Sequence, residues 1–81
     1  MLEEINEPIE VIGHFTQNQL LPVKFIWRGR EYTVKKVNLT YSRREGRVKF
    51  YYFAVSDEAN YFKLEFNSEN LNWRLIEIYA E

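Results

Sequence analysis

From Pro8 onward the apolar residues of this chain recur at every second position, not at the 3.6-residue spacing of a helix. A chain patterned in this way folds as half-buried β-strand. Ile9, Val11 and Phe15 share one parity, and Gly13 between them marks a bend or bulge in the first strand. Asn18 and Gln19 read as a turn. Val23, Phe25 and Trp27 then give the second strand an aromatic face, with Pro22 near its start, and Arg28-Gly29 forms a tight turn. Tyr32 and Val34 open a third strand whose apolar parity breaks and resumes at Val37, Leu39 and Tyr41. A bulge at Lys35-Lys36 accounts for the break and would coil the sheet.

Arg44-Glu45-Gly46 reads as a hairpin loop with Gly46 in the left-handed conformation. The strand that follows, Arg47 to Val55, contains Phe50-Tyr51-Tyr52-Phe53. Four consecutive aromatics place two on each side of a sheet, so both faces of this strand are at least partly covered or one carries exposed aromatics, and a central position is expected. Asp57 to Asn60 is a turn. Tyr61 to Phe66 is a strand with Phe62, Leu64 and Phe66 on one face, and Asn67-Ser68-Glu69-Asn70 closes another hairpin. The last segment, Leu71 to Tyr79, fits two readings. Leu71, Trp73 and Leu75 alternate while Ile76 and Ile78 take the other parity, as in a bulged strand. Leu71, Leu75, Ile78 and Tyr79 also fit helical spacing, and the Trp, Ile and Tyr content favours the strand.

The expected fold is therefore all-β: a single antiparallel sheet of five or six strands in meander order, coiled into a small open barrel. Val11, Phe25, Trp27, Tyr32, Val34, Phe62, Leu64 and Trp73 should form its apolar face. Eighty-one residues leave room for one such domain, at 8–81, preceded by a flexible acidic arm at 1–7 that carries Glu3, Glu4 and Glu7. Aromatics make up 17% of the chain and compensate for a small interior, since each buries about 150–250 Å². If the sheet stays open, a leftover aromatic face favours a homodimer.

Several chemistries are excluded. Without cysteine there are no disulfides, thiolate metal sites or thiol nucleophiles. His14 is the single histidine, and no zinc, calcium or nucleotide-binding motif accompanies it, so neither cofactor nor metal nor enzyme activity is expected. No apolar run approaches the ~18 residues of a membrane span, and a cytoplasmic location is the default expectation.

The charge distribution carries the functional signal. Nine of the eleven Lys and Arg residues fall between Lys24 and Lys49, where only Glu31 and Glu45 oppose them, a local net charge of +7 in a chain of net −1. Eight of the fourteen aromatics lie between Phe25 and Phe53. Cations neutralise phosphates and aromatic faces stack on bases, so this combination suits single-stranded or duplex nucleic acid. Arg28, Arg43, Arg44, Arg47 and Lys49 are the candidate phosphate contacts, and Tyr41 and Tyr51 the candidate stacking residues. Like charges facing each other across a hairpin destabilise it, and an anionic partner is one reason to keep them. The competing readings are structural: lysine and arginine guard strand edges against aggregation, and aromatics fill a small core. A protein-interaction or homodimerisation domain, using the aromatic strand face or a free edge strand, is the other functional class.

The segment Val23 to Val34, with Asn72-Trp73-Arg74-Leu75 and Ile78-Tyr79, resembles a small bacterial domain family of unknown function. The shared pattern is an aromatic-x-Trp-Arg-Gly-x-x-Tyr-x-Val hairpin, a Tyr/Phe-rich strand, and a closing Trp-x-Leu strand. Phe25, Trp27, Arg28, Gly29, Tyr32, Val34, Trp73 and Leu75 match it, and the likeness covers most of Pro8 to Tyr79. Some members accompany translesion-type DNA polymerase proteins, so the resemblance implies a DNA-repair context, without catalytic residues to transfer. The long basic hairpin from Asn38 to Lys49 departs from the pattern.

Overall fold

A computed structural model describes residues 1–80; Glu81, the last residue of the domain expected at 8–81, lies outside them. Among the described residues, seven strands form one antiparallel sheet: β1 (Leu2–Phe15), β2 (Leu20–Trp27), β3 (Arg30–Thr33), β4 (Lys36–Glu45), β5 (Val48–Ser56), β6 (Asn60–Asn67) and β7 (Trp73–Ala80). Their order across the sheet is β3-β2-β1-β7-β6-β5-β4. This corrects the expected five or six strands and the meander order. The parity break at Lys35-Lys36 is not a bulge within one strand. It is the passage from β3 to β4, which lie on opposite edges of the sheet.

That passage dictates the shape. Seven strands laid flat would put the two edges about 29 Å apart. The link consists of Val34 and Lys35, so Thr33 and Lys36 lie at most about 11 Å from each other. The sheet must coil until its edges meet at this end. There the Val34 N–H donates to the Val23 carbonyl and the Lys35 N–H to the Ser56 carbonyl, both at 2.9 Å, tying the link to β2 on one side and β5 on the other. β3 ends at Thr33 and forms no ladder with β4, so the sheet does not close into a barrel. Extra residues help it bend: Val23 opposite Ile12/Gly13, Asn38 in β4, Ile76 in β7, and a further shift in β1 at Asn6, which takes φ +51°. The expected irregularity at Gly13 and the bulge before Ile78 are both present.

The concave side holds the core. Phe25, Phe53, Val55, Phe62, Leu64, Phe66 and Leu75 are buried, with Val11, Trp27, Tyr32, Val34 and Trp73 packed against them. All eight residues expected on the apolar face are in this cluster. Phe25 and Phe62 belong to strands three places apart, about 14 Å in a flat sheet, yet their ring centroids are 5.1 Å apart. Burying each large side chain contributes roughly 1.5–3 kcal/mol.

Two further expectations change. Of residues 1–7, expected as a flexible acidic arm, Leu2 onward form the first part of β1, where Leu2, Glu3 and Glu4 pair with Tyr79, Ile78 and Glu77. The apolar edge of β7 is the reason: β1 fills the gap between the β2–β3 hairpin and the other four strands, and Glu3, Glu4 and Glu10 are exposed while Ile5 and Ile9 touch the core and Glu7 is half-buried beside Trp27. The segment from Leu71 resolves as strand, but it begins at Trp73; Leu71 takes φ +63° in the preceding turn. The aromatic strand, now β5, is one place in from the edge, not central. Its outer face is covered all the same, by side chains of β4 and β6, and Tyr52 is only 6% exposed. Among the described residues no helix is long and apolar enough to cross a membrane.

Candidate nucleic-acid interface

β4 and β5 pair from Lys36↔Ser56 to Glu45↔Val48, leaving Gly46-Arg47 as the turn. Gly46, at φ +61° in the first central position, suits the two-residue hairpin turns that match strand twist. The turn thus begins two residues later than the expected Arg44-Glu45-Gly46 loop, and Arg44 and Glu45 are strand residues. β6 meets β5 only from Phe50↔Asn67, so the tip of the hairpin overhangs the sheet. Its last tether is Ser68, whose N–H and hydroxyl both donate to the Lys49 carbonyl, at 3.1 and 2.7 Å. Residues 43–49 therefore project as a ribbon with Arg43, Arg44, Arg47 and Lys49 against one carboxylate, Glu45.

The strand register sorts these residues onto two faces, because directly opposed residues in an antiparallel pair point the same way. Arg44 faces Lys49, Ser42 faces Tyr51 and Thr40 faces Phe53 on the concave side. Lys49 Nζ lies 5.1 Å from the centroid of the Tyr51 ring. Arg43 faces Phe50, and Tyr41 faces Tyr52, on the convex side. The expected stackers, Tyr41 and Tyr51, are thus on opposite faces of one hairpin. The basic residues form a ridge with two sides.

The convex side is already internally engaged. Tyr41 and Tyr52 stack at 5.1 Å, and Lys63 Nζ lies 5.7 and 5.1 Å from their two centroids. Arg43 sits 5.6 Å from the Phe50 ring and pairs with Glu45 at 3.1 Å. The Tyr52 hydroxyl donates to Glu65 at 2.8 Å. Burial, and then the Glu65 carboxylate, raise the Tyr52 pKa above the usual phenol value. On the concave side and at the turn the picture differs: among the described residues, Arg44, Arg47 and Lys49 form no ion pair.

Arg28 lies apart from this tip. It follows the last residue of β2, at the end of the sheet where β4 begins, whereas the basic ridge is where β4 finishes. Arg28 and Gly29 both take positive φ, +52° and +75°, in the tight turn between β2 and β3. The Arg28 guanidinium donates twice to Glu7, Nε to Oε1 at 3.0 Å and Nη2 to Oε2 at 2.7 Å, and it covers the Trp27 ring at 4.6 Å. Trp27 Nε1 donates to the same Glu7 at 2.8 Å. The Arg28 hydrogen bond, followed by that of Trp27, holds the Glu7 carboxyl down at about 2. This clasp fastens the β2–β3 turn to β1 and commits Arg28 to a carboxylate of its own chain.

Sequence reasoning missed a cleft. Where β3 stops short, the β1–β2 hairpin and β4–β6 stand apart, and a cavity of about 480 Å³ opens between them. Phe15, Leu20 and Leu21 line one wall, and Tyr51, Phe53 and Phe66 the other. Thr16, Asn18, Gln19, Thr40 and Ser68 complete the lining. Phe15 is 73% exposed. Its position at the end of β1, directly before a turn, was the available signal. Among the described residues no group of three or more metal-ligating side chains comes together.

Residues 1–80 match the family model described as Domain of unknown function (DUF6504), and the chain belongs to that family. No curated protein and no solved structure matches the chain.

Proposed function

We propose that this member of the DUF6504 family is a non-enzymatic binding module that holds nucleic acid on the overhanging tip of its β4–β5 hairpin. Arg43, Arg44, Arg47 and Lys49 would contact phosphates, and Tyr51 would supply a stacking face. One observation carries the reading: Arg44 and Lys49 stand directly opposite each other on the concave face, without an ion pair among the described residues. Opposed like charges work against the hairpin. A polyanion offsets that repulsion, and four cations on a projecting two-stranded ribbon match a phosphate backbone. The DNA-repair setting implied by the sequence resemblance would supply such a ligand.

Fluorescence anisotropy of labelled oligonucleotides at about 50 and about 200 mM salt tests this. Four phosphate contacts imply a log–log salt slope of about −2.8 on a single strand, a loss of about 50-fold over that range. The double variant Arg43→Glu/Arg47→Glu should abolish binding. An undetectable complex at the lower salt, or one unchanged in the double variant, refutes the assignment.

A second reading rests on β4 itself. This ten-residue strand is at the edge of the sheet with its outer side unpaired, and Leu39 and Tyr41 on it are 56% and 40% exposed. Strand addition there would give a homodimer or a protein complex. Such an assembly responds weakly to salt, and sedimentation at increasing protein concentration detects the homodimer.

A further inference from the structure

Resting on the reading just proposed, we infer that the nucleic acid taken by this site is single-stranded, and that an unpaired base enters the cleft between Phe15 and Tyr51. Three observations converge. First, the cleft and the basic tip share the concave face. Along the β4–β5 register, Thr40 and Phe53 in the cleft are followed by Ser42 and Tyr51 at its mouth, then by Arg44 and Lys49. A strand whose phosphates meet those two cations has its bases one step away from the aromatic walls.

Second, the lining suits a nucleobase. It contains no charged side chain; aromatic and aliphatic groups make the walls, while Asn18, Gln19, Thr40 and Ser68 offer neutral donors and acceptors. Base edges carry neutral donors and acceptors, and every base has a π-face. A cavity of about 480 Å³ lies inside the range of small-ligand sites, about 300–1,000 Å³. A purely apolar ligand would leave the amides and the adjoining cations without a role.

Third, a large aromatic side chain stands open to solvent on the wall facing Tyr51, since Phe15 is 73% exposed. Phe15 packs into none of the core contacts, so stability alone does not account for it. The rival ligand is duplex. A two-stranded ribbon fits a major groove about 12 Å wide, and the tip could enter it. Paired bases cannot reach the cleft, however, so duplex binding would use the cations and leave the cleft idle.

The test compares a labelled single strand, its duplex, and the same single strand with abasic sites, each titrated into the wild-type chain and into Phe15→Ala. An exposed residue is chosen so that the variant folds, which a thermal melt verifies. The single strand should bind at least tenfold more tightly than the duplex, and abasic sites should weaken it. Phe15→Ala should weaken single-strand binding about 5- to 150-fold, the effect of losing one stacking platform, and should leave duplex binding unchanged. Duplex affinity equal to or above that of the single strand overturns the inference and leaves the basic tip standing. Abasic binding equal to that of the intact strand, or indifference to Phe15→Ala, overturns it equally. No binding of any of the three overturns both.

Discussion

Leu64 of β6 and Leu75 of β7 are opposed in the register, both 0% exposed, and lie at the centre of the buried cluster. Replacing Leu64 by Ala removes buried methyl groups and leaves a cavity in a sheet whose curvature is fixed by its short β3–β4 link. Partial relaxation is all the site allows, so the loss should fall in the range of about 2.7–5 kcal/mol measured for buried leucines elsewhere. A chain of this size has roughly 4–12 kcal/mol in total. A loss of about 3 kcal/mol lowers the midpoint of a thermal melt by about 12–24 °C. Urea and thermal unfolding followed by tryptophan fluorescence would measure it, because Trp73 packs on Phe66 and Phe53 at 4.8 and 5.5 Å and reports on this core. Leu39→Ala is the control; Leu39 is an edge-strand leucine outside the cluster, and its removal should cost under about 0.5 kcal/mol. Combining Leu64→Ala with Leu75→Ala should depart from additivity, since the two residues are direct neighbours. A Leu64→Ala loss below about 1 kcal/mol, or one no larger than that of Leu39→Ala, would refute the placement of the core.

Other expectations follow from the turns, the clasp and the basic ridge. Glu7 titrates below its ordinary 4.5 in the folded chain, so its contribution to stability is full above about 4.5 and is lost as pH falls through about 2. Glu7→Gln should therefore be less stable than the wild type at neutral pH, with the gap closing between those two values; a pH-independent gap in urea midpoints contradicts the clasp. Gly46→Ala should destabilise by about 1–2 kcal/mol through its left-handed backbone alone, because nothing lies within 4 Å of an added Cβ; an unchanged melting temperature would count against the turn assignment. Arg44→Thr should raise hairpin stability by about 0.2–1 kcal/mol by relieving the repulsion with Lys49 while weakening oligonucleotide binding. A variant that loses both stability and binding, measured by melting and anisotropy, would show that Arg44 serves the fold instead.

Much of this architecture was legible as alternation, because side-chain direction in a strand reverses at each residue and burial follows it. That local rule gave the antiparallel sheet, the turns at Arg28-Gly29, Asp57–Asn60 and Asn67–Asn70, and the eight apolar residues that meet in the core. It also located the bulge before Ile78, where two parities of apolar residue meet in one strand. The clustering of cations between Lys24 and Lys49 was visible in the same way.

Pairing partners were not legible, since they depend on which edges are free once the rest has folded. A parity break looks the same whether a strand bulges or ends, and at Lys35-Lys36 it ends: the chain crosses from one edge of the sheet to the other. Glu3, Glu4 and Glu7 look like a solvated arm until β7 offers an edge for them to pair with. Arg28 resembles Arg44 in sequence, yet Glu7, twenty-one residues away, claims it. The cleft has no sequence signature either, because its two walls come from Phe15–Leu21 and Thr40–Ser68 and meet only when the sheet coils. Local sequence settled which residues alternate and where the charge lies; the coiling of an open seven-stranded sheet around a two-residue link decided which of them share a face.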